Sequence, residues 1–186
     1  MNEDLLKAVD FWDIIEMSRK ENSVNEQKEF LISHLNSYGS YFTLLFDLSL
    51  RQKIRALFFM PTYELVKLIA IVASEEDIFD FCCFVILQGK KAYEAFILEP
   101  HTIIDALLKL DTPIDLYGYN IIRLTDEAFK KDVKPNDDQE FKLLYPYTIG
   151  QMIFPLDPDF EEVDSSDEYF TYLKEKYKRL ADSLER

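Results

Sequence analysis

The chain has 186 residues, 35 acidic against 21 basic, for a formal net charge of -14. That balance speaks against a nucleic-acid binder, which must neutralise phosphates, and against docking on an anionic membrane. Hydrophobic residues at 48% and aromatics at 15% rule out global disorder, and only four glycines argue against a sandwich, a barrel or a Gly-rich phosphate loop.

Residues 3 to 20 read as a first helix, because Ala8, Phe11, Trp12 and Ile15 recur at i, i+3, i+4 and i+7. Trp12 reads as a core anchor. Ser23 with Glu26 makes a capping-box pattern and opens a second helix with Leu31 and Leu35 on its inner face. Asn36 to Ser40 is a turn signal centred on Gly39. A long helix then runs to Met60, carrying Leu44, Leu45, Leu48, Ile54, Leu57 and Phe58. Its basic side, Arg51, Lys53 and Arg55, is expected to pair with acidic neighbours, with a small-anion site as the alternative. Pro61 suits the start of a new helix, and Tyr63 to Ala73 is strongly apolar.

The centre of the chain is Ser74 to Pro100. Ser74 and Asp77 form a second capping-box pattern, and Ile78 to Leu87 contains one polar residue, Asp80. Gly89 offers a left-handed exit. A helix apolar on all sides belongs inside a core. Lys90 to Leu98 predicts a short helix with Tyr93, Phe96 and Ile97, redirected by Pro100. Ile103, Ile104, Leu107 and Leu108 mark another helix, closed by Asp111, Thr112 and Pro113. Gly118 lies in a loop, and Thr125 to Asp132 reads as helix. Lys134 to Glu140 is a polar loop. Leu143 to Phe154 is aromatic but interrupted by Pro146 and Gly150. A proline-punctuated acidic linker follows. Ser165 with Glu168 caps a final helix to about Leu184, with Tyr169, Tyr172, Leu173, Tyr177 and Leu180 on one side.

The N-terminus MNEDLL lacks a basic, apolar leader, and no run approaches the roughly 20 apolar residues of a membrane span, so a cytoplasmic location is expected. Cys82 and Cys83 are adjacent in the apolar helix and are expected as reduced, buried thiols. The expectation is an all-α fold: a single antiparallel helical domain of about seven to nine helices with an acidic linker and a C-terminal helix. Residues 1–132 form its helical core, and residues 133–186 comprise the irregular segment, linker and final helix packed on the same domain.

Phe11–Trp12–Asp13–Ile14–Ile15–Glu16, then Asp77–Ile78–Phe79–Asp80–Phe81 through Ile86–Leu87–Gln88–Gly89–Lys90, with Tyr93–Glu94 and Glu99–Pro100, resemble a bacterial family catalogued as domain of unknown function 4240. The resemblance covers roughly residues 8 to 110. Phe84 stands where the family usually has Trp, and Cys82 where a basic residue is common. The resemblance implies a helical domain. It carries over no catalytic residue.

His34 and His101 fall in different helices, where lone histidines are more often surface or capping residues than ligands. Asp157 to Glu168 holds seven carboxylates and no base. It lacks the glycine and the spacing of a calcium loop. It reads first as a solvated linker ahead of a helix N-terminus, and second as a docking strip for a basic partner through Asp157, Asp159, Glu161, Glu162, Asp164 and Asp167. Asp80 on an apolar helix needs a partner, for which Lys90, Lys91, Arg51 and Arg55 are candidates. A pocket lined by Trp12, Phe79, Asp80 and Tyr93 is the alternative. No catalytic motif, cofactor site or metal site is legible, so an enzyme is the less expected outcome. The preferred reading is a non-enzymatic protein-binding domain, such as an acidic immunity or antitoxin-type inhibitor of a basic protein. A small-molecule binder or enzyme using the Asp80 and Tyr93 pocket is the second reading. A structural or oligomerisation module using the aromatic face of the final helix is the third.

Overall fold

The computed structural model describes residues 11–21, 23–70, 74–110, 116–119, 121, 124 and 167–184. It is all-α, with no strand among the described residues. The chain divides into two compact units that alternate in sequence: Met1–Arg55 with Ile121–Phe154, and Ala56–Asn120 with Pro155–Arg186. The predicted helix at Thr125 to Asp132, the aromatic segment at Leu143 to Phe154 and the Ser165 cap lie outside the described residues.

In the first unit, α1 (Phe11–Ser18) buries Phe11, Trp12 and Ile15 of the predicted stripe and Ile14 beside them, while Ala8 lies outside the described residues. Helix α2 (Val24–Tyr38) begins where the Ser23 hydroxyl accepts the Glu26 N–H at 3.2 Å. Its inner face carries Leu31, Ile32 and Leu35. A buried polar stitch joins the two helices: Gln27 Nε2 donates to Ser18 Oγ at 3.0 Å, and Ser18 donates to the Ile15 carbonyl at 2.7 Å. Each group satisfies another's hydrogen-bonding capacity, so neither is left costly in the interior. The Phe11 ring meets Phe46 of α3 (Ser40–Ala56) at 4.9 Å.

Helix α3 stops at Ala56, four residues short of the predicted Met60. Pro61 is the reason. Its ring clashes with the carbonyl four residues back and it has no N–H to offer that carbonyl. The Leu57 carbonyl accepts instead from Thr62 Oγ1 at 2.6 Å and from the Phe59 N–H at 3.0 Å. Phe59 turns extended, and α4 (Met60–Ile69) begins with Pro61 in its first turn.

The second unit is built round α5 (Glu75–Leu87). Ser74 Oγ accepts the Asp77 N–H at 3.2 Å, and Asp77 Oδ2 accepts the Ser74 N–H at 2.8 Å, completing the capping box. From Phe81 to Leu87 no residue is more than 2% exposed. Both cysteines lie there as free thiols. Helices α4 and α6 (Lys90–Leu98) and the 3-10 turn Tyr117–Tyr119 pack round it. The Phe81 ring lies 5.7 Å from Phe96, which meets Phe59 at 5.5 Å, and Phe84 meets Tyr119 edge-on at 5.0 Å. Such ring pairs add roughly 0.5–1.5 kcal/mol each beyond their area burial. After α6, Pro100 opens a 3-10 turn (Pro100–Ile103) that leads into α7 (Ile104–Leu107).

Gly39 and Gly89 solve the same problem. Each is the residue immediately before a new helix, with φ 87° and ψ 174° at Gly39 and φ 93° and ψ 172° at Gly89. The exit at Gly89 has the positive φ expected, but its ψ is extended rather than left-handed helical. That region is essentially closed to residues with a Cβ.

The final helix is two helices, α8 (Asp167–Lys176) and α9 (Lys178–Leu184), where one was predicted. Leu173, Tyr177, Leu180 and Ala181 face the core. Tyr172, predicted on the same side, is exposed.

Phe84→Ala should lower the unfolding free energy by about 3–5 kcal/mol, the usual cost of emptying a buried aromatic site. Gly89→Ala should lower it by about 1–3 kcal/mol through backbone strain alone. Urea titration followed by far-UV circular dichroism measures both. A loss under about 1 kcal/mol for Phe84→Ala would contradict the placement of α5 at the centre.

Candidate functional site

Helix α4 carries one carboxylate, Glu64, among Leu65, Val66 and Leu68, and Glu64 is only 4% exposed. A carboxylate in that position demands strong donors. They come from α8 and from the residue that follows it. Lys176 Nζ reaches both carboxylate oxygens, at 2.9 and 2.7 Å, and the Tyr177 hydroxyl donates to Oε2 at 2.8 Å. The ammonium also lies over the Tyr172 and Tyr177 rings at 5.5 and 5.4 Å. Beside it, Lys67 of α4 sits over Tyr63 at 5.3 Å and over Tyr169 of α8 at 5.7 Å. The Tyr169 and Tyr172 rings stack at 6.0 Å. Two lysines and four tyrosines thus gather round one buried acid.

His101, in the turn after α6, completes the group. Its Nε2 lies 3.2 Å from the Lys176 carbonyl and its ring 5.0 Å from Tyr177. A carbonyl can only accept, so Nε2 carries the proton in this contact. This explains the break in the final helix. With the Lys176 carbonyl taken by a side chain, the Leu180 N–H donates to Tyr177 O at 2.9 Å instead, and the helix is interrupted for one residue. A second, exposed ion pair joins Arg179 to Asp105 at 2.7 Å.

The electrostatics favour a clamp over a proton shuttle. Burial, then the hydrogen bond and charge of Glu64, push the Tyr177 phenol far above its ordinary value. Burial works to lower Lys176, but the hydrogen bond and charge of Glu64, with help from Tyr172, outweigh it and hold the ammonium above its usual range. Burial and the Glu64 charge raise Tyr169 as well. Each proton is held more firmly at neutral pH, the opposite of what a general acid or base working there needs.

The residues singled out from sequence fall as follows. Trp12 belongs to the first unit, buried edge-on against Phe11 at 5.1 Å with Lys53 Nζ 5.8 Å from its ring centre. Phe79, Asp80 and Tyr93 belong to the second. Asp80 is buried at 5% exposure, Phe79 is half-buried against Phe58 at 5.3 Å, and Tyr93 is buried. Burial, then the neighbouring Cys82, push Tyr93 up to about 12. Burial raises Cys82 well above the ordinary thiol value, so it is a protonated, unreactive thiol at neutral pH. Arg51 pairs with Asp47 at 2.7 Å, one turn back on its own helix; the basic face was expected to pair with acids at the surface, whereas this acid is buried. Asp157, Asp159, Glu161, Glu162 and Asp164 lie outside the described residues, and Asp167 opens α8. Among the described residues, no three His, Cys, Asp or Glu side chains gather as a metal site. No described helix is long and apolar enough to cross a membrane. Sequence reasoning missed Glu64 and Lys176, while His101, expected as a surface or capping residue, is exposed and meets the Lys176 carbonyl. The signal at Glu64 was the one that exposed Asp80: a lone acid on an apolar helix.

Glu64→Gln should cost about 1.5–3 kcal/mol, the worth of hydrogen bonds to a charged group. Lys176 and Tyr177 both have folded values above their unfolded ones. Their contribution to stability is therefore complete below about pH 10 and is lost as the pH rises through the folded values. The melting temperature should fall above about pH 10, and Glu64→Gln should make that fall shallower. Thermal melts between neutral and strongly alkaline pH test this. Parallel alkaline curves for the two proteins would rule out Glu64 as the source.

No curated protein and no solved structure matches the chain. A family model described as a protein of unknown function (DUF4240) matches residues 6–131. That span takes in α1 to α7, with Glu64 and His101, and stops short of α8 and its lysine. The chain belongs to this family.

Proposed function

We propose that this is a non-enzymatic binding protein whose negatively charged surface recognises a basic protein, as an immunity or antitoxin-type inhibitor does. The observation that carries the reading is the net charge of -14 on a helical protein of 186 residues. A field of that sign steers a cationic partner in and discriminates against acidic ones.

Two features of the second unit support it. The polar groups round Glu64 converge on one another, and their protons are held where neutral-pH chemistry has no use for them. Apolar side chains also face water there, with Leu98 82% exposed beside the exposed Ile97. Exposed apolar groups next to charge suit a protein partner better than a small metabolite.

Co-expression with the product of the adjacent open reading frame tests the reading. A basic polypeptide should co-purify, and its affinity should drop at least about tenfold between about 0.1 and 0.5 M salt. No complex, or one indifferent to salt, would refute it.

A further inference from the structure

Four aromatic side chains in the first unit stand in a row that packing of the core does not require. Phe30, His34 and Tyr38 follow one another at four-residue spacing along α2, and Phe42 continues the row on α3. Neighbouring rings are 5.4, 4.9 and 4.6 Å apart. The first and last pairs are nearly parallel, at 16° and 20°. The row crosses from one helix to the next because Gly39 is the sole residue between them and its positive φ brings Phe42 under Tyr38. None of the four rings is buried, and Tyr38 is 60% exposed. Leu31, Ile32 and Leu35 supply the buried side of α2, and the row runs along its flank, from the part-exposed Phe30 and His34 to the exposed Tyr38.

The charges beside the row are negative. Glu26 lies one turn before Phe30 on the same line, and Glu29 sits on the adjacent, exposed line with Ser33 and Ser37. Burial lowers His34, which therefore adds no positive charge at neutral pH. Flat π-faces flanked by carboxylates match one side chain above others. The arginine guanidinium is planar, weakly hydrated, stacks on aromatic rings and pairs bidentately with carboxylates, whereas the lysine ammonium is compact and strongly hydrated.

We propose that the row Phe30–His34–Tyr38–Phe42, with Glu26 and Glu29 beside it, is a docking face for an arginine-bearing segment of a partner protein. This rests on the reading of a basic partner given above and names the side chain and the surface. Charge complementarity identifies the occupant, and the ring faces set its preference for arginine.

A hexa-arginine peptide and a hexa-lysine peptide, titrated calorimetrically into the intact protein at moderate salt, test it. Each stack at an exposed site is worth about a 2- to 5-fold change in affinity, so two stacks predict an arginine preference of roughly 5- to 20-fold. Tyr38→Ala and Tyr38→Leu should both abolish the preference. The second keeps the apolar bulk while removing the ring, and circular dichroism verifies that both variants fold. Tyr172→Ala, at an exposed ring of the other unit, should leave the preference intact. Equal affinity for the two peptides, or a preference that survives both Tyr38 variants, overturns the docking face and leaves the basic-partner reading standing. Failure of either peptide to bind even at low salt counts against that reading as well.

Discussion

A helix with no wet side constrains everything packed on it. From Phe81 to Leu87 the chain makes nearly two turns without a residue that water reaches. Every element round it must therefore present an apolar or aromatic surface, and α4, α6 and the Tyr117–Tyr119 turn all do. At about 25 cal/mol per Å2 of buried apolar area, a run of this kind is a principal stabilising contribution. It also explains the thiols. Cys82 and Cys83 are there as small apolar volumes, since burial suppresses the thiolate on which their chemistry depends.

Against that apolar centre, the polar devices divide by how far along the chain their partners lie. Ser74 with Asp77, Ser23 with the Glu26 N–H and Asp47 with Arg51 are local, three or four residues apart. They set where helices start and how a charge is carried into a buried face. Gln27 with Ser18 spans nine residues and joins two consecutive helices. Glu64 with Lys176 and Tyr177 spans over a hundred, and its role is correspondingly different. It ties the end of the chain to α4 through one carboxylate. Two lysines over four tyrosine rings surround that tie, each contact contributing roughly 0.5–1 kcal/mol or more as it is desolvated.

This division also decides what was legible in the sequence. The central helix, its capping box and the all-α class could be read, because composition, period and capping are properties of neighbouring residues. The positive φ at Gly89 could be read for the same reason, but not its ψ, which depends on where the next helix must go. The early stop of α3 follows from the Leu57 carbonyl being taken by Thr62, a preference that Pro61 announces and that a run of leucines hides. The break at Tyr177 was invisible. Its cause is His101, 75 residues before the Lys176 carbonyl that it meets, and no local periodicity carries that information. The lone acid at Glu64 carried the same local signal as Asp80 but went unread, and its partners, over a hundred residues away, left no local signal at all.

The family region ends at residue 131, whereas the lysine and tyrosine that satisfy Glu64 come from residues 176 and 177. The acid is thus inside the shared part of the molecule and its counter-charge outside it. Helix α8 packs on α4 and brings the counter-charge with it. Without the trailing helices the acid would lose its cover together with its partners, so the cost of burying it arises only once they are docked.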